Sequence, residues 1–182
     1  TSMGFTPLSG VVMGTRSGDI DPTVVSFIAE KEQYSLTEVM DVLNRQSGVL
    51  GISGVSPDFR DLEKEAAQGH ERARLALDVF AYSVARGVAS LIPAIDGLDA
   101  LAFTAGIGEN SPKMRRRICS FLAWLGVVLN EDTNSENTGE REISARESKI
   151  TVLVVPTDEE KIIAQETMEV LQQDKRAEKN RF

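Results

Sequence analysis

Four short stretches of this sequence carry residues able to do chemistry. In the first, an apolar run at 98–104 stops at Gly106 and Gly108, and Ser111-Pro112 then opens a helix. A strand, a glycine turn and a helix start in that order leave main-chain N–H groups free and let a ligand approach the backbone closely, with the helix's positive end favouring negative charge. Such a turn suits a nucleotide, and it is equally an ordinary way to join a strand to a helix. In the second, Arg16 stands beside Ser17 and Gly18, with Asp19 and Asp21 close behind. Its guanidinium either clamps a phosphate or carboxylate through two donors or pairs with one of those acids at the surface. In the third, Asp58 and Arg60 flank Phe59 at a helix start, a pattern that fits a ribose hydroxyl and a phosphate as well as it fits a complemented helix dipole. The fourth is Asp158-Glu159-Glu160, three acids straight after a strand, placed either to face Mg²⁺ or to decorate a helix N-terminus. The one histidine, His70, falls in a polar turn, where it is expected to be solvated. The one cysteine, Cys119, falls within the apolar spacing of a helix and is expected to be a buried structural thiol.

Composition narrows the class of protein that can hold these groups. The chain has 182 residues, 41% hydrophobic and 26% charged, enough for one sizeable core. A net charge of −8 argues against nucleic acid or an anionic membrane as partner, and the longest basic run is only residues 113–117. One cysteine excludes an intrachain disulfide and fits a reducing compartment. Neither a stretch of about 18 apolar residues nor a secretion leader is evident, so the expected home is the cytoplasm. The chain begins at Thr1 and enters what looks like an ordered turn almost at once, so it is expected to be a piece of something longer.

The elements that must position the four stretches can be read in order. Residues 10–15 are expected to form a strand between two glycine-rich turns. Asp21-Pro22 opens a helix with Val24, Val25, Phe27 and Ile28 on its apolar side, and Ser35 with Glu38 caps a second reaching Leu43, both expected to pack on the core. Residues 47–53 are too rich in glycine to assign as a strand, and the segment at 56–61 starts a helix. Apolar positions recurring every three or four residues, with alanines between, predict the longest helix over 71–91. Residues 98–104 then read as a short strand buried on both faces. The helix at 112–125 should turn Met114, Ile118, Phe121, Leu122 and Leu125 inward and Arg115, Arg116 and Arg117 mostly outward. Residues 130–148 read as a surface excursion with at most one short strand, 149–155 as the strongest strand, and 161–171 as a helix.

Taken together, Thr1-Ser2-Met3-Gly4-Phe5-Thr6-Pro7, Gly14-Thr15-Arg16-Ser17-Gly18-Asp19-Ile20-Asp21-Pro22, Phe103-Thr104-Ala105-Gly106-Ile107-Gly108-Glu109-Asn110 and Pro156-Thr157-Asp158-Glu159-Glu160 resemble the acetate kinase family in order and spacing. The resemblance covers nearly the whole chain apart from the loop after Asn130 and the tail, and it matches only the C-terminal half of such an enzyme. It implies an α/β fold of the ribonuclease-H-like kind found in the actin, Hsp70 and sugar-kinase superfamily, a mixed sheet flanked by helices. Residues 1–171 would be the C-terminal nucleotide-binding domain, and 172–182 a charged tail expected to fray.

The resemblance further implies reversible, Mg²⁺- or Mn²⁺-dependent, in-line phosphorylation of acetate by ATP, giving acetyl phosphate and ADP. Arg16 matches the arginine that stabilises the transferring phosphoryl group, and Glu159 matches the acid associated with the metal. Asp58, Phe59 and Arg60, with Gly106, Ile107, Gly108, Glu109 and Asn110, match the elements around ribose and adenine. Such chemistry depends on positioning and positive charge, and acetate, ionised at neutral pH, needs no strong base. The other arginine, the acetate-side aspartate and histidine, and the phosphate loop of the family would belong to an N-terminal half outside this sequence. The family also implies a homodimer formed through this domain. Propionate or butyrate kinase of the same family, or a stand-alone ATP-binding module, are the alternatives. Asp158 departs from the family, which more often has asparagine there.

Overall fold

The computed structural model describes residues 1–136 and 138–179, apart from the side chains of Glu159 and of residues 172–179. An irregular segment leads to Pro22, and helices α1 (Thr23–Glu32) and α2 (Leu36–Arg45) follow. Ser35 caps α2 reciprocally, its hydroxyl accepting the Glu38 N–H while the Glu38 carboxylate accepts the Ser35 N–H. Two donors that a helix start leaves unpaired are satisfied in this way. The glycine-rich stretch left unassigned by the sequence is the short helix α3 (Gly48–Ser53), and α4 (Phe59–Ala67) comes next with Asp58 as its cap. After α5 (Glu71–Leu91) come strand β1 (Ala100–Phe103), α6 (Ala105–Asn110), α7 (Pro112–Phe121), α8 (Glu131–Ser135), β2 (Arg141–Glu142), β3 (Thr151–Val154) and α9 (Glu159–Lys179).

Helix α5 occupies the span its periodicity predicts and packs against α3, α4 and α7. Ala73, Ala76, Ala81 and Ala85 are buried along it, and these small side chains let Val49, Leu62, Met114 and Ile118 close in around Leu77 and Phe80. By length and composition alone the stretch Glu71–Ile95 would pass for a membrane span. Its inner side is instead the centre of the core, and Asp78 pairs with Arg117 on another side. His70 is half-buried rather than solvated: it caps α5, its Nδ1 accepting the Ala73 N–H at 3.1 Å.

The sheet runs in the order β1-β3-β2, with β1 parallel to β3 in the register Leu101 to Val152 and Phe103 to Val154, and β2 antiparallel to β3. This is the mixed sheet with flanking helices expected from the sequence. Phe103, Val152 and Val154 are buried against the helices, while Ala100, Ala102 and Thr151 are exposed. Burial of β1 on both faces is therefore corrected to one face, because the helices among the described residues cover only that side.

Other expectations change too. Residues 10–15 form no strand. Their backbone groups bond elsewhere, Val12 N–H to the Ser83 hydroxyl and the carbonyls of Met13 and Gly14 to the N–H groups of Val49 and Leu50. Helix α1 buries no residue, and Phe27 is 61% exposed, so of the first two helices only α2 buries side chains, Val39 and Leu43. Helix α7 stops at Phe121, a separate turn covers Ala123–Leu125, and Phe121 is exposed against Tyr82. The stretch at 130–148 is more than a surface excursion, since it holds α8 and β2 and contributes fully buried Asn134 and Ile143. Helix α9 extends to Lys179, past the expected end at Leu171, and matches α5 in length. Of the tail expected to fray, 172–182, residues 172–179 continue this helix and 180–182 fall outside the described residues.

Candidate functional site

The N-terminus of α4 and one side of α6 face one another across a cavity of about 840 Å³, which Gly108 and Glu109 do not line. Asp58, Phe59, Arg60, Gly106, Ile107 and Asn110 line it, together with Ser111, Lys113 and Arg116. Two stretches singled out 46 or more positions apart in the sequence thus form opposite walls of one space. Phe59 stands between core and cavity, its ring edge-on to Phe80 at 4.5 Å between centroids. Asp58 Oδ1 accepts the Arg60 N–H at 2.9 Å, and the Arg60 guanidinium donates to both Asp58 oxygens at 2.5–3.2 Å. These bonds from Arg60 pull the Asp58 carboxyl down to about 2, so the pair is ionised across the neutral range.

Helix α6 replaces the open glycine turn expected after β1. The chain enters it through Ala105 in the left-handed region, φ 58°, an unusual place for a residue with a Cβ. Gly106 and Gly108 have different duties there. A Cβ on Gly106 would meet nothing within 4 Å, so this glycine leaves bare backbone facing the cavity. A Cβ on Gly108 would lie 3.3 Å from the Phe103 carbonyl carbon, so this one lets α6 sit close on β1. The Asn110 side chain donates to the Gly106 carbonyl at 2.9 Å, within α6 itself. Glu109 Oε1 accepts from both the N–H and the hydroxyl of Thr157, each at 2.9 Å, and these bonds hold its carboxyl below the usual range. Glu109 therefore links α6 to the connection that follows β3.

Arg115, expected on a solvated face, is fully buried. It donates to the carbonyls of Gly108 and Glu109, and to the side chain and carbonyl of Asn134, at 2.6–2.8 Å. Burial, with Arg141 nearby, lowers its guanidinium to about 10, which leaves it charged at neutral pH. Of its neighbours, Arg116 pairs with Glu131 at 2.5 Å and lines the cavity, and Arg117 pairs with Asp78. Glu63, which sequence reasoning did not single out, joins the walls: the Ser111 hydroxyl donates to it at 2.7 Å and Lys113 lies 3.8 Å away.

Arg16 sits outside this cavity, in a separate recess of about 460 Å³ with Thr15, Asp41, Asn44 and Arg45. The surface pairing that sequence left open is not made. Asp19 takes the Gly10 N–H and Arg86 instead, and Asp21 takes the N–H and hydroxyl of Thr23. Arg16 has no ion pair among the described residues, and the one hydrogen bond its side chain makes among them is to Met13 Sδ, at 3.7 Å. Gly48, φ 62°, makes its placement possible, because a Cβ there would strike the Met13 carbonyl at 2.2 Å.

Asp158 and Glu160, with Thr157, Ala105 and Gly106, line a third recess of about 440 Å³. Asp158 also accepts the Lys161 N–H at 3.0 Å and so caps the start of α9. The side chain of Glu159, the expected metal acid, lies outside the described residues. Exposed carboxylates are donors that suit a hard divalent cation, although no cluster of three metal-binding side chains occurs among the described residues. Cys119 is buried, and burial pushes its thiol up to about 12, which removes it from nucleophilic chemistry.

Comparison with known proteins adds an independent line. A sequence profile of the Acetokinase family matches residues 1–165. An acetate kinase from Heliobacterium modesticaldum is 54% identical over 171 residues, which is 94% of this chain and 43% of that protein. The crystal structure of Porphyromonas gingivalis acetate kinase superposes with a TM-score of 0.87 at 43% identity, over 93% of this chain and 43% of the other. A propionate kinase from Francisella tularensis gives 0.84 at 45% identity, over 91% of this chain and 42% of the other. The chain thus spans about 43% of the length of the curated relatives it matches.

Proposed function

Because this chain belongs to the acetokinase family, we propose that it forms the C-terminal, nucleotide-binding side of an enzyme that moves a phosphoryl group reversibly between ATP and acetate. The observation that carries this reading is the shared cavity between α4 and α6, lined by Asp58, Phe59 and Arg60 from one stretch attributed to the nucleotide and by Gly106, Ile107 and Asn110 from the other. Asp58, Phe59 and Arg60 with Gly106, Ile107, Gly108, Glu109 and Asn110 hold ribose and adenine, and Arg16 stabilises charge on the transferring group. An acetate oxygen attacks the γ-phosphorus, the bond to the β,γ-bridging oxygen breaks, and ADP leaves with no proton to move. Arg16, free of any carboxylate among the described residues, is available for the equatorial oxygens, where a fixed charge is worth most as the transition state forms. Glu159, with Asp158 and Glu160 beside it, would hold Mg²⁺ or Mn²⁺, which supplies neutralising charge at the phosphate oxygens.

The acyl side of the site, and the further groups that converge on the phosphoryl, would come from the length of the relatives that this chain does not span. The whole enzyme is a cytoplasmic homodimer in this reading, in keeping with a single buried thiol and a net charge of −8. Propionate as acceptor is the second reading, favoured by the Francisella neighbour. The test is ADP titrated into this chain by calorimetry with Mg²⁺ present. Alongside it, acyl phosphate formation from acetate, propionate and butyrate is assayed with this chain alone and with an enzyme spanning the full length of the relatives. Weak ADP binding without turnover by the chain alone, and acetate preferred by the full enzyme, is the expected result. Failure to bind ADP would overturn the nucleotide reading, and turnover by the chain alone would place the missing groups here.

A further inference from the structure

Arg115 is a charged side chain that the fold hides completely, and its four hydrogen bonds run to neutral oxygens. Nη1 donates to the Gly108 and Glu109 carbonyls, both at 2.8 Å. Nε and Nη2 donate to Asn134 Oδ1 at 2.8 Å and to the Asn134 carbonyl at 2.6 Å. Asn134 is itself fully buried, its Nδ2 donating to the Pro112 carbonyl at 3.1 Å. We infer that Arg115, braced by Asn134, is a positioning residue for nucleotide binding, fixing the last turn of α6 by its carbonyls so that the Gly106 side of the helix faces the cavity.

This inference rests on the reading of α6 as a nucleotide-binding element. A six-residue helix is too short to persist by its own hydrogen bonds, and its last carbonyls have no partner within it. External donors therefore decide where it lies. Arg115 supplies them from below in the fixed fork of a guanidinium, and α8 holds that fork from the far side through Asn134. The brace continues outward, because Glu109, whose carbonyl Arg115 holds, takes both Thr157 donors with its carboxylate. The cavity wall and the segment bearing Asp158, Glu159 and Glu160 are thereby held in one frame. A lysine at 115 keeps the charge but presents one compact head, which cannot span four acceptors in this geometry.

The test compares Arg115→Lys, Asn134→Ala and Asn134→Asp with the unmodified chain, measuring the Kd for ADP with Mg²⁺ and the hydrogen exchange of the α6 amides. Each variant is assayed well below its own melting temperature. Arg72→Lys is the control, since Arg72 performs the same duty on the Gly51 and Ile52 carbonyls at the end of α3. Arg115→Lys and Asn134→Ala should weaken ADP binding about ten-fold, the scale on which supporting hydrogen bonds behind a ligand site act, and should speed exchange in α6. Asn134→Asp, which keeps an oxygen for Nε but loses the Nδ2 donor to Pro112, should fall between Asn134→Ala and the unmodified chain in both readouts, and Arg72→Lys should leave both unchanged whatever it does to stability. Should Arg115→Lys fail to fold, the two Asn134 variants decide. Folded variants that bind ADP as the unmodified chain does, or an Arg72→Lys loss of equal size, would overturn the inference. An unmodified chain that binds no ADP would overturn the nucleotide reading as well.

Discussion

Adding one methyl group to each of the two glycines of α6 separates the demands of ligand from those of packing. Neither Gly106 nor Gly108 has a positive φ, so alanine fits the backbone at both, and each substitution should gain up to about 1 kcal/mol of helix propensity, less in so short a helix. At Gly106 the new Cβ meets nothing within 4 Å. Gly106→Ala should therefore leave Tm unchanged or raise it by roughly 2–4 °C, the shift about 1 kcal/mol makes in a chain of this size. The same methyl enters the cavity wall, where a ligand packed on the main chain must give way at a cost of about 1–3 kcal/mol, a roughly 5- to 150-fold weaker Kd for ADP. At Gly108 the methyl lies 3.3 Å from the Phe103 carbonyl carbon and 3.5 Å from its Cα. Backbone cannot swing aside as a side chain can, so Gly108→Ala should lose a net of about 1–2 kcal/mol and melt roughly 2–8 °C lower. Calorimetric ADP titration and thermal melts on the two variants read both effects. A Gly106→Ala chain binding ADP as tightly as the original would show that no ligand approaches this backbone, and a Gly108→Ala chain more stable than Gly106→Ala would show that α6 does not rest on β1.

Further outcomes are expected. In an enzyme of full length, Arg16→Ala should lower kcat with little change in the KM for ATP, whereas Asp58→Ala should raise that KM, and steady-state kinetics would separate the two. Leu62, fully buried on the inner side of α4, should cost about 2–5 kcal/mol when cut to alanine, measured by denaturant unfolding. Iodoacetamide should modify Cys119 slowly at pH 8 in the native chain and rapidly in guanidinium, since burial raises its thiol to about 12. An acid with a raised folded value stabilises the fold below its unfolded value, so this contribution is complete below about pH 8.5 and fades from there towards pH 12. Asp58 works in the other direction: its value of about 2 stabilises the fold above about pH 4, and that contribution is lost as pH falls towards 2, where acid unfolding of Asp58→Asn should lack this component.

Periodicity and caps made much of the fold legible. The bounds of α5, the Ser35 box and the start of α7 at Ser111-Pro112 follow from local rules, and the structure keeps them. Long-range partners were not legible. Residues 10–15 look like a strand because they are apolar between glycines, yet their N–H and carbonyl groups find α3 and Ser83 rather than a neighbouring strand. Arg115 stands three residues before Ile118, four before Cys119 and seven before Leu122, all buried, so its place on the inner stripe was open to reading. The two exposed-looking arginines after it masked that signal, and only the return of α8 with Asn134 explains how a guanidinium survives there. At the site, sequence identified both cavity walls but not that they meet. Nothing local in 58–60 points to 106–110, and Glu63 and Arg116 gain their place only from that meeting.

The parallel pairing of β1 with β3 sets an order of assembly. Its partners, Ala100 with Thr151 through Phe103 with Val154, are about fifty residues apart, and closing a loop of that length costs about 3.5 kcal/mol of chain entropy beyond a fixed term. The contacts of α5 with α3 and α4 close much shorter loops and should be made earlier. One cavity wall, at the head of α4, thus belongs to the part that condenses first, and the other waits for the last strand. During synthesis from the N-terminus, α4 and α5 can settle while β3 is still untranslated. The carboxylate of Glu109 has no Thr157 to hold until the chain has passed that residue. A ribosome stalled before residue 151 should therefore carry a helical domain without a finished nucleotide cavity.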